Sequence, residues 1–174
     1  GVSLMRVSLR AALLGVVLLS NPAFAADQWK ADPPGQWRSL TWDEKTTTST
    51  CIGKPISPIC AVETKEACYL QSKEELCHLA IRDHQGRIFL RGGGASRALY
   101  YKYHIPAIRQ IKAGETVTIL DETALPGDYL VDSRDRQCEV KSNKCSKPLG
   151  LPTTHLVRLI DGEWRIITWD TPRW

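Results

Sequence analysis

The spacing of apolar residues changes character once along this chain, near residue 86. Before that point it suits helices. Ser57-Pro58 offers a capping hydroxyl followed by proline at the first helical position, and residues 59–70 contain neither Gly nor Pro. A second start comes at Ser72-Lys73-Glu74-Glu75, the S-x-x-E form of a capping box. The spacing therefore predicts a helical hairpin ending near Arg82, with residues 83–86 as a turn.

Beyond residue 86 the period is two. Residues 87–90 form a short apolar stretch, followed by Gly92-Gly93-Gly94. Tyr101, Tyr103 and Ile105 alternate up to Pro106, whose missing N–H implies an edge strand or a bulge. Residues 116–120 (TVTIL) and 129–131 read as strands, joined through Leu125-Pro126-Gly127-Asp128. Residues 138–145 read as a hairpin tip. The best-defined element is last: residues 155–160 and 163–169 flank Asp161-Gly162, a pair suited to the positive φ angles of a two-residue hairpin turn. With that turn as the loop, Leu159 faces Trp164 and Val157 faces Ile166 on a core face. The other face sets Arg158 against Arg165 and Leu156 against Ile167.

The N-terminus sets a different expectation. Arg6 and Arg10 are followed by a small-to-apolar run over residues 11–19, Asn21-Pro22 ends it, and Ala23-Phe24-Ala25 supplies a small-x-small cleavage site. This is the tripartite form of a secretory signal peptide, with residues 1–4 ahead of the start expected at Met5. The run is shorter than the roughly 20 residues a membrane span needs. The expected organisation is a signal peptide at 1–25, a linker and packing segment at 26–50, and a single α+β domain at 51–174. Removing 25 of the 174 residues leaves 149, a one-domain length, and lowers the net charge from +4 to +2 because the leader holds two arginines and no acid. The remaining charges are interspersed, with no basic run of the kind that binds nucleic acid. No later apolar run has membrane length, so stable membrane insertion is not expected, and the location expected is periplasmic or secreted.

All six cysteines lie beyond the leader, and an even count in an exported chain reads as a disulfide framework. Spacing favours neighbours: Cys51 with Cys60, Cys68 with Cys77, and Cys138 with Cys145. On one continuous helix Cys68 and Cys77 would stand about 13–14 Å apart, whereas a disulfide needs Cα atoms within about 7 Å. That pair therefore requires a break near Ser72. A zinc site at Cys77, His78 and His84 would need free thiolates and lacks a C-x-x-C pair, so neither metal nor cofactor is expected. Of the six tryptophans, Trp29, Trp37 and Trp42 lie early and Trp164, Trp169 and Trp174 late. The expectation is that the N-terminal segment packs beside the last strand in a shared aromatic cluster.

The order of elements, together with the stretch Thr154-His155-Leu156-Val157-Arg158-Leu159-Ile160-Asp161-Gly162-Glu163-Trp164-Arg165-Ile166-Ile167, resembles the NTF2-like, cystatin-like α+β roll superfamily. Members often end in an LVR-x-x-DG-x-WRI hairpin of this form. The resemblance spans roughly residues 57–170 in element order. It implies a helical hairpin packed on a curved antiparallel sheet, with a pocket between them. Some members use that pocket for isomerase, dehydratase or hydrolase chemistry, and others only bind ligands. An alternative fold, a small SH3-like β-barrel with an added helix, is suggested by residues 111–119 (IKAGETVTI) but leaves the helical region unexplained.

Candidate chemistry is sparse. His155, on the core-side face of the final hairpin, reads first as a packed, hydrogen-bonded structural histidine; it is also the candidate catalytic residue, with Asp121, Glu122, Asp128 or Asp132 as its carboxylate. Arg158 and Arg165 are like charges face to face. A neighbouring acid or simple solvation would account for them, or else an anionic ligand or partner, and they are the candidate ligand- or partner-binding residues. The glycines at 92–94 are not followed by G-K-S/T, and no G-x-S-x-G, H-E-x-x-H or EF-hand pattern occurs. The expectation is an exported, non-catalytic binding module for a small ligand or a protein, of open oligomeric state. The alternative is a small roll-type enzyme using His155 and a carboxylate.

Overall fold

Ser57 starts the first helix as its residue type dictates: its hydroxyl accepts the backbone N–H of Cys60 at 3.0 Å, and Pro58 occupies the first turn. In this computed structural model, which describes residues 29–40, 51–83, 98–148 and 151–172, α1 runs Pro58–Gln71 and α2 runs Glu74–Ala80. Ser72 does not cap α2. It ends α1 in the left-handed conformation (φ 54°), and Lys73 is the N-cap of α2 without a side-chain bond. That left-handed residue reverses the chain and brings Cys68 within 5.3 Å of Cys77, Cα to Cα. The hairpin thus breaks at Ser72 as the disulfide geometry demands. The hairpin ends near Arg82 as expected: the chain leaves α2 at Ile81, which forms a parallel bridge with Ile166.

The strands are β1 (Arg38–Leu40), β2 (Leu99–Gln110), β3 (Thr118–Ile119), β4 (Glu122–Thr123), β5 (Tyr129–Glu139), β6 (Thr153–Ile160) and β7 (Glu163–Asp170). Five of them form one antiparallel sheet in the order β1-β2-β5-β6-β7, curved around the helices and not closed on itself. β3 and β4 pair only with each other, so the SH3-like barrel is not formed. The stretch 116–120 contributes two strand residues instead of a full strand. β5, by contrast, extends eight residues past Val131.

Each irregularity has a local cause. Pro106 has no N–H to give, and β2 shifts register against β5 between His104 and Ala107. Asp32 satisfies the displaced backbone: its N–H donates to the Ile105 carbonyl at 2.9 Å and its Oδ2 accepts the Ile105 N–H at 2.9 Å. Asp161 (φ 50°) and Gly162 (φ 85°) both adopt the left-handed region that a tight hairpin turn requires. The three disulfides are Cys51–Cys60, Cys68–Cys77 and Cys138–Cys145, the last closing the hairpin tip between β5 and the following segment.

The helices cover the concave face of the sheet, and here lies the larger core, including Val62, Ala67, Cys68, Ile105, Val131, Val157 and Ile166. α1 is buried on nearly every side, Glu63, Thr64 and Lys65 included. On the convex face Leu156 and Ile167 are also buried, beneath Ile111, Ala124 and the β3–β4 hairpin. Both faces of the final hairpin are therefore covered. Among the described residues no helix is long and apolar enough to cross a membrane. Residues 1–28, with the leader expected there, residues 41–50 with Trp42, residues 84–97 with His84 and Gly92-Gly93-Gly94, and Trp174 lie outside the described residues.

Candidate functional site

Side chains at 155, 157, 164 and 166 project from the last two strands toward the helices. Strict alternation would turn Trp169 the other way. The pairing slips by one residue between Leu156 and Val157, however, so that His155 faces Trp169 and Leu156 faces Thr168 instead of Ile167. The extra residue on β7 is Ile167, and such a bulge re-aims the side chains beyond it. Ile167 goes to the convex core and Trp169 returns to the concave side, beneath α1.

There α1 presents Lys65 and Glu66. The Lys65 ammonium donates to Glu66 Oε1 at 2.9 Å and to His155 Nε2 at 3.2 Å, and lies 4.7 Å from the centroid of the Trp169 ring. Tyr69, one turn along α1, has its ring centroid 5.5 Å from the same ammonium. Lysine has three N–H bonds and no acceptor, so two hydrogen bonds and one aromatic face engage it fully. With Nε2 accepting from Lys65, His155 carries its proton on Nδ1 and donates it to the Val131 carbonyl at 3.1 Å. Both ring nitrogens are occupied, and the residue is 0% exposed.

The electrostatics are set by this packing. Burial, and then the adjacent Lys65 charge, lower the His155 pKa below its ordinary value and keep the ring neutral. Burial alone would push the Glu66 carboxyl up. The neighbouring Lys65 ammonium, through its charge and its hydrogen bond, opposes that, and the carboxyl is held at about 2. Glu66 nonetheless keeps 29% of its side chain exposed, at the edge of an opening.

That opening is a cavity of about 420 Å³ between the second half of α1 and the concave sheet. Tyr69, Tyr101, Tyr103 and Trp169 supply aromatic walls, while Lys65, Glu66, Ser133, Asp135, Thr153 and Thr171 supply polar groups. Behind Tyr103 is a second buried polar cluster. Arg38 on β1 donates to Asp32 Oδ1 at 2.5 Å, to Glu63 of α1, and to the Tyr103 hydroxyl at 3.4 Å. Burial and then Glu63 push the Tyr103 phenol far above its ordinary range. This cluster fastens the 29–40 segment onto both layers and places Leu40 in the cavity wall.

The residues singled out in the sequence are distributed differently. His155 lies under the cavity floor, and the carboxylate nearest it is Glu66, 3.7 Å from Nε2. None of the four acids expected to partner it does so. Asp121 is exposed in the β3–β4 turn, Glu122 pairs with Arg82, Asp128 with Arg158, and Asp132 accepts from Thr154 Oγ1 at 2.7 Å. Arg158 and Arg165 are cross-strand neighbours as expected, and each has protein partners. Arg158 grips Asp128 through Nε and Nη2 at 2.7–3.1 Å, and Arg165 donates to Glu163 and to the His78 carbonyl. Cys77 is committed to its disulfide, and no group of three metal-capable side chains occurs among the described residues. Trp29, Trp164 and Trp169 pack against the main core, whereas Trp37 stacks near His104 and lies 4.4 Å from the Arg136 guanidinium.

Lys65, Glu66 and the tyrosines went unread in the sequence, yet a signal was there. Glu63-Thr64-Lys65-Glu66 places four consecutive polar residues in one helix. At 3.6 residues per turn these point to every side, so a helix enclosed by a sheet must bury some of them. Comparison with protein-family models, with curated proteins and with solved structures found no match in any of the three.

Proposed function

We propose that this protein is an exported binding module of the NTF2-like, cystatin-like roll type that holds a small organic ligand between α1 and the concave sheet. The observation that carries this reading is the cavity of about 420 Å³, walled by four aromatic side chains and edged by a few polar ones. Small-molecule sites commonly fall at about 300–1,000 Å³ with this mixture of linings. Element order, the curved open sheet and the Asp-Gly hairpin support the family assignment. Three disulfides support folding in an oxidising compartment, in keeping with the leader. Binding is favoured over acid–base catalysis because His155 is sealed beneath Lys65, and a general base must come within hydrogen-bond reach of the proton it takes.

The test uses a neutral fluorophore, N-phenyl-1-naphthylamine, titrated into the protein lacking residues 1–25. Saturable fluorescence enhancement at one site is expected. It should be lost in Thr153→Trp, which fills the cavity from its rim, while the variant keeps the parent's circular dichroism. Equal binding by parent and variant would place the fluorophore elsewhere and end this reading.

A further inference from the structure

We propose a second binding site, independent of the cavity: a cationic patch on the convex face of β2 and β5 that takes a phosphoryl group. The strand register assembles it. Tyr103 and Asp135 are cross-strand partners that line the concave cavity, so alternation turns Lys102, His104, Arg134 and Arg136 to the opposite face. There Lys102 stands directly across from Arg136, and His104 from Arg134. Side chains so paired are about 5 Å apart, and neighbours along one face of a strand about 7 Å. Three permanent cations that the sequence disperses thus meet in one small, half-buried area.

Their lack of acids sets them apart. Among the described residues Arg38, Arg82, Arg109, Arg158 and Arg165 each have a carboxylate partner, whereas Arg134 and Arg136 have none. The like-charged Arg158–Arg165 pair is relieved by an acid for each member, and the Lys102–Arg136 pair is not. Asp132 is next along this face of β5, but its Oδ1 accepts from Thr154 Oγ1 at 2.7 Å. Asp32 lies 3.9 Å from His104 and is held by Arg38. The Nε atoms of Arg134 and Arg136 are both withdrawn from solvent without a hydrogen-bond partner. Arg82 Nε is in the same state, yet has Asp83 at 3.2 Å. Donors of a charged group left unpaired out of water are costly. These two guanidinium groups therefore gain more from a counter-anion than fully hydrated surface arginines would.

Trp37 makes the patch a formed surface. The Arg136 guanidinium lies 4.4 Å from the centroid of its ring, and the His104 ring centroid is 5.4 Å away. His104 is fixed in turn by donating from Nδ1 to the Gln36 carbonyl at 2.8 Å. An arginine stacked on an indole presents its planar fork in a set orientation. Two forks and an ammonium suit a group with several oxygens and up to two charges, whereas one fork satisfies a carboxylate.

The experiment titrates methyl phosphate into ¹⁵N-labelled protein, with acetate at equal ionic strength as the control. Binding is read by the indole ¹H–¹⁵N signal of Trp37, assigned with Trp37→Phe. A saturable shift with methyl phosphate is expected, and several-fold weaker binding of acetate. The double variant Arg134→Gln, Arg136→Gln should bind about tenfold or more weakly while keeping the parent's circular dichroism. Lys102→Gln should weaken binding several-fold, and it carries the test if the double variant does not fold. Cosedimentation with phosphatidylcholine vesicles containing phosphatidate, lost in the variants, assigns the phosphoryl group to a lipid headgroup. Methyl phosphate binding without cosedimentation assigns it to a soluble ligand. Acetate binding as tightly as methyl phosphate, binding unchanged in the variants, or neither a saturable shift nor cosedimentation overturns the inference and leaves the cavity reading untouched.

Discussion

Trp169 lies opposite His155 across β6 and β7, one position out of step with the Val157–Ile166 pairing set by the Asp161-Gly162 turn. The offset decides what the hairpin can build. Without it Trp169 would sit on the convex side and Lys65 would lose the aromatic face beneath its ammonium. The bulge at Ile167 therefore joins two requirements, an apolar residue for the convex core and an indole for the concave cavity, in adjacent stretches of one strand.

Lys65 is expected to be costly to truncate and cheaper to neutralise by shape. Lys65→Ala leaves Glu66 without its cation and His155 Nε2 without a donor in a buried setting. Breaking a fully buried ion pair costs about 3–5 kcal/mol. Because Glu66 is partly exposed, a loss of about 2–3 kcal/mol is expected here. Lys65→Met keeps the packing against Trp169 and Tyr69 and should recover about 1 kcal/mol of that. Urea unfolding of the two variants checks the order; equal losses would show that the lost charge alone, and not packing against the rings, sets the cost.

Stability should fall on the acid side in two stages. The folded pKa of His155 is lowered from 6.5, so just below pH 6.5 the unfolded chain binds a proton that the native state refuses. Stability is then full above 6.5 and declines as pH falls through that value. Glu66, held at about 2 against an ordinary 4.5, adds a loss of the same sign that begins below 4.5 and continues toward 2. Urea midpoints measured between about pH 7.5 and 5.5 should drop in the parent and drop less in His155→Gln. Matching slopes would assign the effect to the other histidines.

Elements set by local chemistry were legible in the chain itself. Ser57-Pro58 marks the start of α1, Asp161-Gly162 fixes the final turn, and the cysteine spacing demands the break at Ser72. Features set by tertiary contact were not. Ser72-Lys73-Glu74-Glu75 has the letters of a capping box, yet Ser72 is needed in the left-handed conformation to let Cys68 reach Cys77. The bulge at Ile167 leaves no mark in the alternation of β7, because it depends on what covers the convex face. The site was missed for a similar reason. Lys65 and Glu66 look like ordinary helix polarity until the sheet wraps that helix.

The core face of the final hairpin is expected to be uneven in its energetics. Ile166 is completely buried among the helices, whereas Leu159, on the same face, is 40% exposed near the turn. Ile166→Ala should cost about 3–4 kcal/mol and Leu159→Ala about 0.5 kcal/mol or less. Trp164 falls between: it is half-buried and meets Tyr129 edge to face at 5.3 Å, so Trp164→Ala should cost about 2–3 kcal/mol. Denaturant midpoints of the three variants give the ranking directly. A Leu159→Ala loss equal to that of Ile166→Ala would mean the turn end is covered in solution.

The Arg158–Arg165 pair places two like charges face to face, and the structure resolves it by giving each its own acid. For Arg158 that acid is Asp128, 3% exposed, which takes two guanidinium nitrogens and also accepts the Leu125 N–H at 2.8 Å. Its hydrogen bonds to Asp128 come first among the causes that raise the Arg158 pKa, so the guanidinium is held charged. One carboxylate thus ties the turn before β5 to the middle of β6. Asp128→Ala removes both connections, and it leaves Arg158 facing Arg165 without its counter-charge. A loss of about 2–4 kcal/mol is expected. Arg165, which donates to Glu163 at the more exposed end, should tolerate Arg165→Ala at a cost of about 1 kcal/mol or less. The double variant Asp128→Ala, Arg158→Leu should recover part of the first loss, since it deletes the stranded charge as well as its partner. Thermal unfolding of this cycle measures the coupling. A double variant no more stable than Asp128→Ala alone would show that the Leu125 turn, and not the arginine, is what Asp128 secures.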